Sequence, residues 1–191
     1  MIPIDRVRQV ALDLFAEHGY KATSMRDIAR AAGFTPGAFY HHYPSKESIL
    51  LDIMSSTMQR LMDSAVEAVA AAGDDPEQRL RALVRTHVTD HGVHQNSATV
   101  GDTELRALSP ENRLVITKIR DAYEDLWRSA VSDLARQNPS AFNEALLRLA
   151  LIQMCTGVHQ WYRPNGPLEL TEIADQFCEI AVDMVLHGER R

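Results

Sequence analysis

The chain has 191 residues, of which 45% are hydrophobic and 24% charged, with a net charge of −6; it is long enough for one or two domains with a buried core and too apolar for a disordered chain. No run of about 18 apolar residues occurs, which excludes a membrane helix, and the first residues carry Asp5 and Asp13 inside their apolar pattern, which is not how a signal peptide reads. The two cysteines, Cys155 and Cys178, fall at apolar positions of expected helices and are read as small core residues of a cytoplasmic protein, not as a disulfide.

The charge is unevenly placed. Residues 1–46 hold Arg6, Arg8, Lys21, Arg26, Arg30 and Lys46 against Asp5, Asp13, Glu17 and Asp27, six cations to four anions. The head is therefore +2 and the remainder −8. A slightly basic head on an acidic body points to a polyanion met by the head alone.

Apolar residues recur at spacings of three and four, and no alternating strand-like run is present, so an all-α fold is expected. A first helix is expected from Ile4 to His18, with Gly19 at its C-terminal end. A second runs from Met25 to Ala32, opened by Ser24 with Asp27 three residues on and stopped by Gly33. A third short helix has Thr35 as N-cap and Pro36 at its first position, and Pro44 ends it. Ser45 opens a long fourth helix to about Ala72, and a fifth covers about Pro76 to Gly92. The stretch HQNSATVGD reads as polar and broken, followed by a short helix through Thr103 to Leu108. Ser109 and Pro110 open a long helix to about Gln137, Pro139 restarts the chain into one that reaches about Tyr162, and RPNGP is a turn. The last helix runs from about Glu169 to Leu186.

Two short helices joined through Gly33 have the helix-turn-helix arrangement, in which the second helix enters the major groove and the first crosses the backbone. Gly37 and Ala38 are small enough for close approach, Tyr40, His41 and His42 follow, and Lys46 stands at a helix start, where a cation opposes the dipole but suits a phosphate.

The stretch TSMRDIARAAGFTPGAFYHHYPSKE, with the ALxLFAExGY before it, resembles the DNA-binding head of the tetracycline-repressor (TetR) family over about residues 6–50. The resemblance implies an all-helical homodimer of about nine helices, with a three-helix head at 1–46 that binds double-stranded operator DNA and a body at 47–191 that holds a small-molecule effector and the dimer face. By motif position it implies that Thr23, Ser24, Tyr40, His41 and Lys46 meet phosphates, that Arg26 meets base edges or backbone, and that Thr35, Gly37 and Ala38 touch bases or adjacent phosphates. Phe39 and Tyr43 are assigned to packing. The basic N-terminal arm of many members has no counterpart in this sequence.

The apolar stripe of the last helix, with Ile173, Phe177, Ile180 and Met184, is wide enough to serve the family's dimer interface, and a two-fold dimer predicts a near-palindromic operator. The segments GDTELRALSPENRLVITKIRDAYEDLWR and WYRPNGPLELTEIADQFCEI resemble a branch of the family that senses acyl-CoA thioesters in fatty-acid or steroid breakdown. That resemblance implies an apolar tunnel lined by Tyr123, Trp127, Met154, Val158 and Trp161, with Arg106, Arg113, Arg120 and Arg163 available to phosphates. A different hydrophobic effector, a drug or other lipophilic metabolite, is the alternative. His87, His91 and His94 place imidazoles on one helix face, but no further metal ligand is evident nearby, and neither a bound metal nor a cofactor is expected. No G-x-S-x-G, P-loop, G-x-G-x-x-G or H-E-x-x-H motif occurs, so a regulator is expected rather than an enzyme.

Overall fold

The structure, a computed structural model, describes residues 4–137 and 142–188, with the backbone alone at 36–38. Its helices are α1 (Ile4–His18), α2 (Met25–Ala32), α3 (Pro36–His42), α4 (Lys46–Ala71), α5 (Pro76–Val93), α6 (Gln95–Thr103), a 3-10 turn at Leu105–Ala107, α7 (Pro110–Ala135), α8 (Glu144–Thr156), the single turn α9 (Val158–Trp161) and α10 (Leu170–His187). Among the described residues there is no strand, and no helix is long and apolar enough to cross a membrane.

Local chemistry sets most of these boundaries. Ser24 and Asp27 exchange capping bonds at the start of α2, and Ser45 and Ser48 do so at the start of α4. Asp75 and Asn143 accept backbone N–H groups at the starts of α5 and α8. The end of α2 is a Schellman motif: Phe34 N–H donates to Ala29 O and Gly33 N–H to Arg30 O, with Gly33 at φ 80. Only glycine holds that left-handed conformation without strain.

Three expectations fail, the first being the short helix through Thr103 to Leu108, which is only the 3-10 turn at Leu105–Ala107. Residues 95–103 are helical, not broken. Only Ser97 and Val100 of α6 are buried, too sparse a pattern to show a period, and Asn96 is tied to Asp13 instead. The helix expected to reach Tyr162 stops at Thr156 and restarts as α9 after Gly157. The expected restart at Pro139 lies outside the described residues.

The chain divides into two compact units, Met1–Met58 with Asn96–Ile119, and Gln59–Gln95 with Arg120–Arg191. The first unit is larger than a head of residues 1–46. Ile49, Leu50, Ile53 and Met54 of α4, and Val100, Leu108 and Ile116, share one core with Val7, Phe15, Ile28 and Phe39. Polar ties within this unit match: Glu104 accepts the Tyr20 N–H (3.2 Å), and Glu47 accepts from Ser109 N–H (2.8 Å) and Asn112 Nδ2 (2.7 Å) at the start of α7.

In the second unit α5 packs chiefly on α10 and α8. Gly92 is where α5 meets the first residue of α10, since a Cβ there would stand 2.4 Å from Leu170 Cδ1. Ile173, Ala174, Cys178, Ala181, Val182 and Val185 form the buried face of α10. Arg81 bridges Glu77 and Glu179, and Arg85 pairs with Asp175, along the rim. Both cysteines are free and buried.

Candidate nucleic-acid interface and effector site

Two aromatic residues seat α3. Phe39 is fully buried and Tyr43 nearly so, their ring centroids 6.2 Å apart. The Tyr43 hydroxyl donates to Asp52 Oδ2 (2.5 Å), which also accepts from Arg8 Nε (3.0 Å). Burial, with this bond to a carboxylate, pushes the Tyr43 phenol far above its ordinary pKa, so it stays a donor. With Phe39 and Tyr43 turned inward, Tyr40 (48% exposed), His41 and His42 face solvent. Thr35 at the N-cap is exposed, and its hydroxyl makes no capping bond. Arg26 is exposed, while Arg30 is held by Asp27 (2.8 Å). At Gly37 and Ala38 the backbone alone is described.

Two residues expected at phosphates serve the turn before α2. Thr23 is buried, and its hydroxyl donates to Gly19 O (3.0 Å) and Leu14 O (3.3 Å). Ser24 is exposed, but its hydroxyl is bonded to Asp27 (2.6 Å). Lys46 donates to Tyr20 O (2.6 Å) and Thr23 O (2.7 Å), with its ammonium 4.2 Å from the Tyr20 ring centroid. Burial draws the Lys46 pKa below its ordinary value. A cation at that helix start was expected to stabilise the fold poorly; the loop carbonyls that it gathers correct this. Lys46→Met keeps the stem but strands those carbonyls, and is expected to cost about 1–2 kcal/mol. Urea unfolding measures it, and an unchanged midpoint would show that the carbonyls find water equally well.

The interior of the second unit is unusually polar. His87 is buried, with Nδ1 2.9 Å from the Tyr123 hydroxyl and Nε2 2.9 Å from Thr156 Oγ1. Its ring stacks on His91, 4.1 Å between centroids. His91 Nδ1 lies 3.0 Å from His87 O and His159 Nδ1 2.7 Å from Thr156 O. A carbonyl only accepts, so both rings donate from Nδ1. Trp127 is fully buried, with its ring 5.7 Å from that of His87. This cluster was not foreseen as a network; four-residue spacing of His87 with His91, and of Tyr123 with Trp127, was its one legible trace.

The residues expected to meet the effector separate. Tyr123, Trp127 and Val158 are buried in the second unit, and Met154 is half-buried. Trp161 is not in the interior: it is 49% exposed and packs beside Phe177 of α10 (6.3 Å). Arg113, in the first unit, spends its guanidinium on Arg106 O and Leu108 O. Arg106 is exposed in that unit, and Arg120, half-buried, belongs to the second. A surface cleft of about 560 Å³ between α4 and α5 is lined by none of them; Arg60 there is paired with Asp90. Both ring nitrogens of His87 are engaged and His94 faces Asp90 (3.9 Å), so the three histidines do not converge on a metal. Among the described residues no group of His, Cys, Asp or Glu is placed to hold one.

The residues expected at the dimer face also divide. Ile173 is buried inside its own unit against expectation, because it lies on the side of α10 that faces α5. Ile180 is 44% exposed, and Phe177 and Met184 are half-buried. On α8, Leu146 is 68% and Leu149 43% exposed.

Comparison with known proteins matches residues 7–53 to the family described as bacterial regulatory proteins, tetR family. Residues 73–185 match the tetracyclin repressor-like C-terminal domain. The chain is 30% identical over 178 residues to the HTH-type transcriptional repressor KstR2 of Rhodococcus jostii (strain RHA1), covering 91% of this chain and 86% of that protein. The crystal structure of a tetR-family regulatory protein from Rhodococcus RHA1 superposes with a TM-score of 0.86 at 31% identity, over 97% of this chain and 98% of that one. AibR, solved in complex with isovaleryl coenzyme A and operator DNA, gives a TM-score of 0.80 over 97% of this chain and 99% of its own. At 24% identity that likeness is one of fold.

Proposed function

The chain belongs to the tetR family of bacterial regulatory proteins, and from that premise we propose that it is a repressor that binds a near-palindromic operator as a homodimer and is released by an acyl-CoA effector. The observation that carries the DNA half is the seating of α3. Phe39 and Tyr43 fix it to the core while Thr35, Tyr40 and His41 are left to solvent beside exposed Arg26. In this reading Tyr40 and His41 position the protein on phosphates, Thr35, Arg26 and the α3 backbone at Gly37 and Ala38 approach bases, and Lys46 and Thr23 hold the turn that presents Ser24.

Dimerisation is assigned to the outward apolar faces of α8 and α10, with Leu146, Leu149, Phe177, Ile180 and Met184, joined by Trp161. Exposed leucines at helical spacing on paired helices are what a four-helix interface buries. The acyl part of the effector is assigned to the interior around Tyr123, Trp127 and Val158, and Arg120, three residues before Tyr123 on α7, is assigned to its phosphates. The segment resemblance over residues 100–180, and the isovaleryl coenzyme A held by AibR, a protein of the same fold, support this choice over other lipophilic effectors. Release requires the effector to bind more tightly to a form of the dimer whose two heads do not match the operator spacing.

The test is fluorescence anisotropy of the protein with a duplex from its own upstream region, titrated with a series of acyl-CoA esters. Salt-dependent binding well above that of a random duplex, reversed by an ester, is the expected result. Tyr40→Phe is expected to weaken both duplexes by the same factor, about threefold to tenfold; a loss confined to one sequence contradicts a phosphate role. Release by a lipophile without CoA, and by no ester, would transfer the effector assignment to that class.

A further inference from the structure

Resting on the reading of α3 as the helix that enters the DNA groove, we infer that Asp52 is a positioning residue for operator recognition, its carboxylate tying the end of α3 to α1 through Tyr43 and Arg8. Asp52 lies on α4, beyond the head of residues 1–46. Its Oδ2 accepts from the Tyr43 hydroxyl (2.5 Å) and from Arg8 Nε (3.0 Å), and its Oδ1 accepts from Arg8 Nη2 (3.3 Å). The two-point bond to a planar guanidinium fixes the orientation of the carboxylate. Arg8 Nη1 donates in turn to Asp5 Oδ1 (3.1 Å), so each nitrogen of that guanidinium has a carboxylate partner inside the protein. Three helices therefore meet at one carboxylate: α1 through Arg8, the C-cap of α3 through Tyr43, and α4, which carries it.

A short helix needs such a hold. Among the described side chains of α3 only Phe39 is buried. Apolar burial is non-directional: it keeps the ring inside without fixing how the helix is turned about it. A hydrogen bond is directional, and Tyr43 is placed one turn beyond Phe39, on the same side, with its N–H on Phe39 O (3.1 Å). The ring and the bond together give α3 two anchors along its length, and the exposed Tyr40 and His41 are aimed by both. Side chains and backbone that read base edges must be held to about 0.5 Å, whereas attraction to phosphates tolerates a looser pose. Arg8 and Asp52 are both about one-third exposed, and an ion pair that wet contributes little to folding. A carboxylate in a head that meets a polyanion also opposes binding, and a neutral side chain would pack at this place without that repulsion. What the charge supplies here is a strong, aimed acceptor for the Tyr43 hydroxyl.

Fluorescence anisotropy of the full chain with the upstream duplex and with a random duplex of equal length tests this on Asp52→Ala, Asp52→Asn and Tyr43→Phe, at a temperature where circular dichroism shows each variant folded. The quantity read is the ratio of the two affinities, from which the gain on both duplexes caused by deleting a negative charge cancels. Asp52→Ala is expected to lower that ratio about tenfold, and Tyr43→Phe about threefold to tenfold, with its random-duplex affinity unchanged. Asp52→Asn keeps an oxygen for the Tyr43 hydroxyl and should recover most of the ratio. The double variant Asp52→Ala with Tyr43→Phe should lose no more than Asp52→Ala alone, because the two act through one bond. Should Asp52→Ala not fold, Tyr43→Phe, which keeps the ring and the Arg8–Asp52 pair, decides the matter. Ratios equal to wild type in folded variants would show a surface ion pair with no hold on α3. Equal losses on both duplexes would show a contact with the DNA backbone or a lowered folded fraction. Both results overturn the inference and leave the DNA-binding reading intact. Wild-type protein that binds the two duplexes alike defeats the operator reading itself and removes the ground for the inference with it.

Discussion

Phe39→Ala is expected to abolish specific operator binding and to lower stability by about 3–5 kcal/mol, the usual cost of emptying a fully buried phenylalanine site. Phe39 has no exposed surface, and it joins α3 to a core that takes in Val7 and Phe15 of α1, Ile28 of α2 and Ile49 and Ile53 of α4. The helix that it anchors spans only Pro36–His42, too short to persist in water alone. Tyr43 stays bonded to Asp52 in the variant, but that bond holds only the last turn. Domains of this size hold about 5–15 kcal/mol in total, so the head would be left near its unfolding midpoint at warm temperatures. Phe39→Leu, which keeps most of the volume, should recover most of both losses. Urea unfolding and duplex anisotropy on the same preparations decide it. An alanine variant with wild-type operator affinity would mean that α3 is seated by something other than this ring.

The head was the most legible part of the sequence because its boundaries are made by local chemistry. Ser24 with Asp27, Gly33, Thr35 with Pro36 and Pro44 each act within a few residues, and the observed helices begin and end where those residues place them. The roles of Thr23 and Lys46 were less legible, because their partners are backbone carbonyls. Any residue supplies a carbonyl, so no residue type marks the far side of the contact. The same limit hid α6: its ties include buried Val100 and Ser97 and the Asn96 bond to Asp13, and of these only Val100 is apolar.

On α10 the apolar stripe was correctly seen as wide, but width does not say which edge faces inward. Packing against α5 takes Ile173 with Ala174, Cys178 and Ala181, and leaves Ile180 outside. Trp161 moves outward for a related reason. The helix stops at Thr156, so the spacing that would have carried Trp161 along the buried side of α8 is broken at Gly157. Hydrophobic period identifies a helix face; the partner that covers it is decided by residues far away in the chain.

Acid is expected to destabilise the protein well before its carboxylates protonate, and His87 is the reason. Burial, and then the neighbouring His91, hold its pKa well below the ordinary histidine value. The groups facing it are Tyr123 and Trp127 on α7, Thr156 on α8 and His91 on its own helix, and none of them is an anion that would stabilise an imidazolium. In the unfolded chain the same ring titrates at about 6.5. Below that pH the unfolded state takes up a proton that the folded state refuses, so stability falls as pH drops, by about 1.4 kcal/mol per pH unit, and is fully present above it. Between about pH 6.5 and 4.5 one such histidine removes up to about 2.7 kcal/mol. Asp27, Glu47 and Glu179 are held below the usual carboxylate range by Ser24, by Ser109 with Asn112, and by Arg81, so their contributions are lost only below about pH 4.3. The two windows therefore do not coincide. His87→Gln retains an acceptor and a donor toward Tyr123 and Thr156 but cannot be protonated, and it should flatten the upper window while leaving the lower one. Unfolding free energies from urea titrations at a series of pH values give both slopes, and a glutamine variant as acid-sensitive as wild type would assign the titration to another histidine.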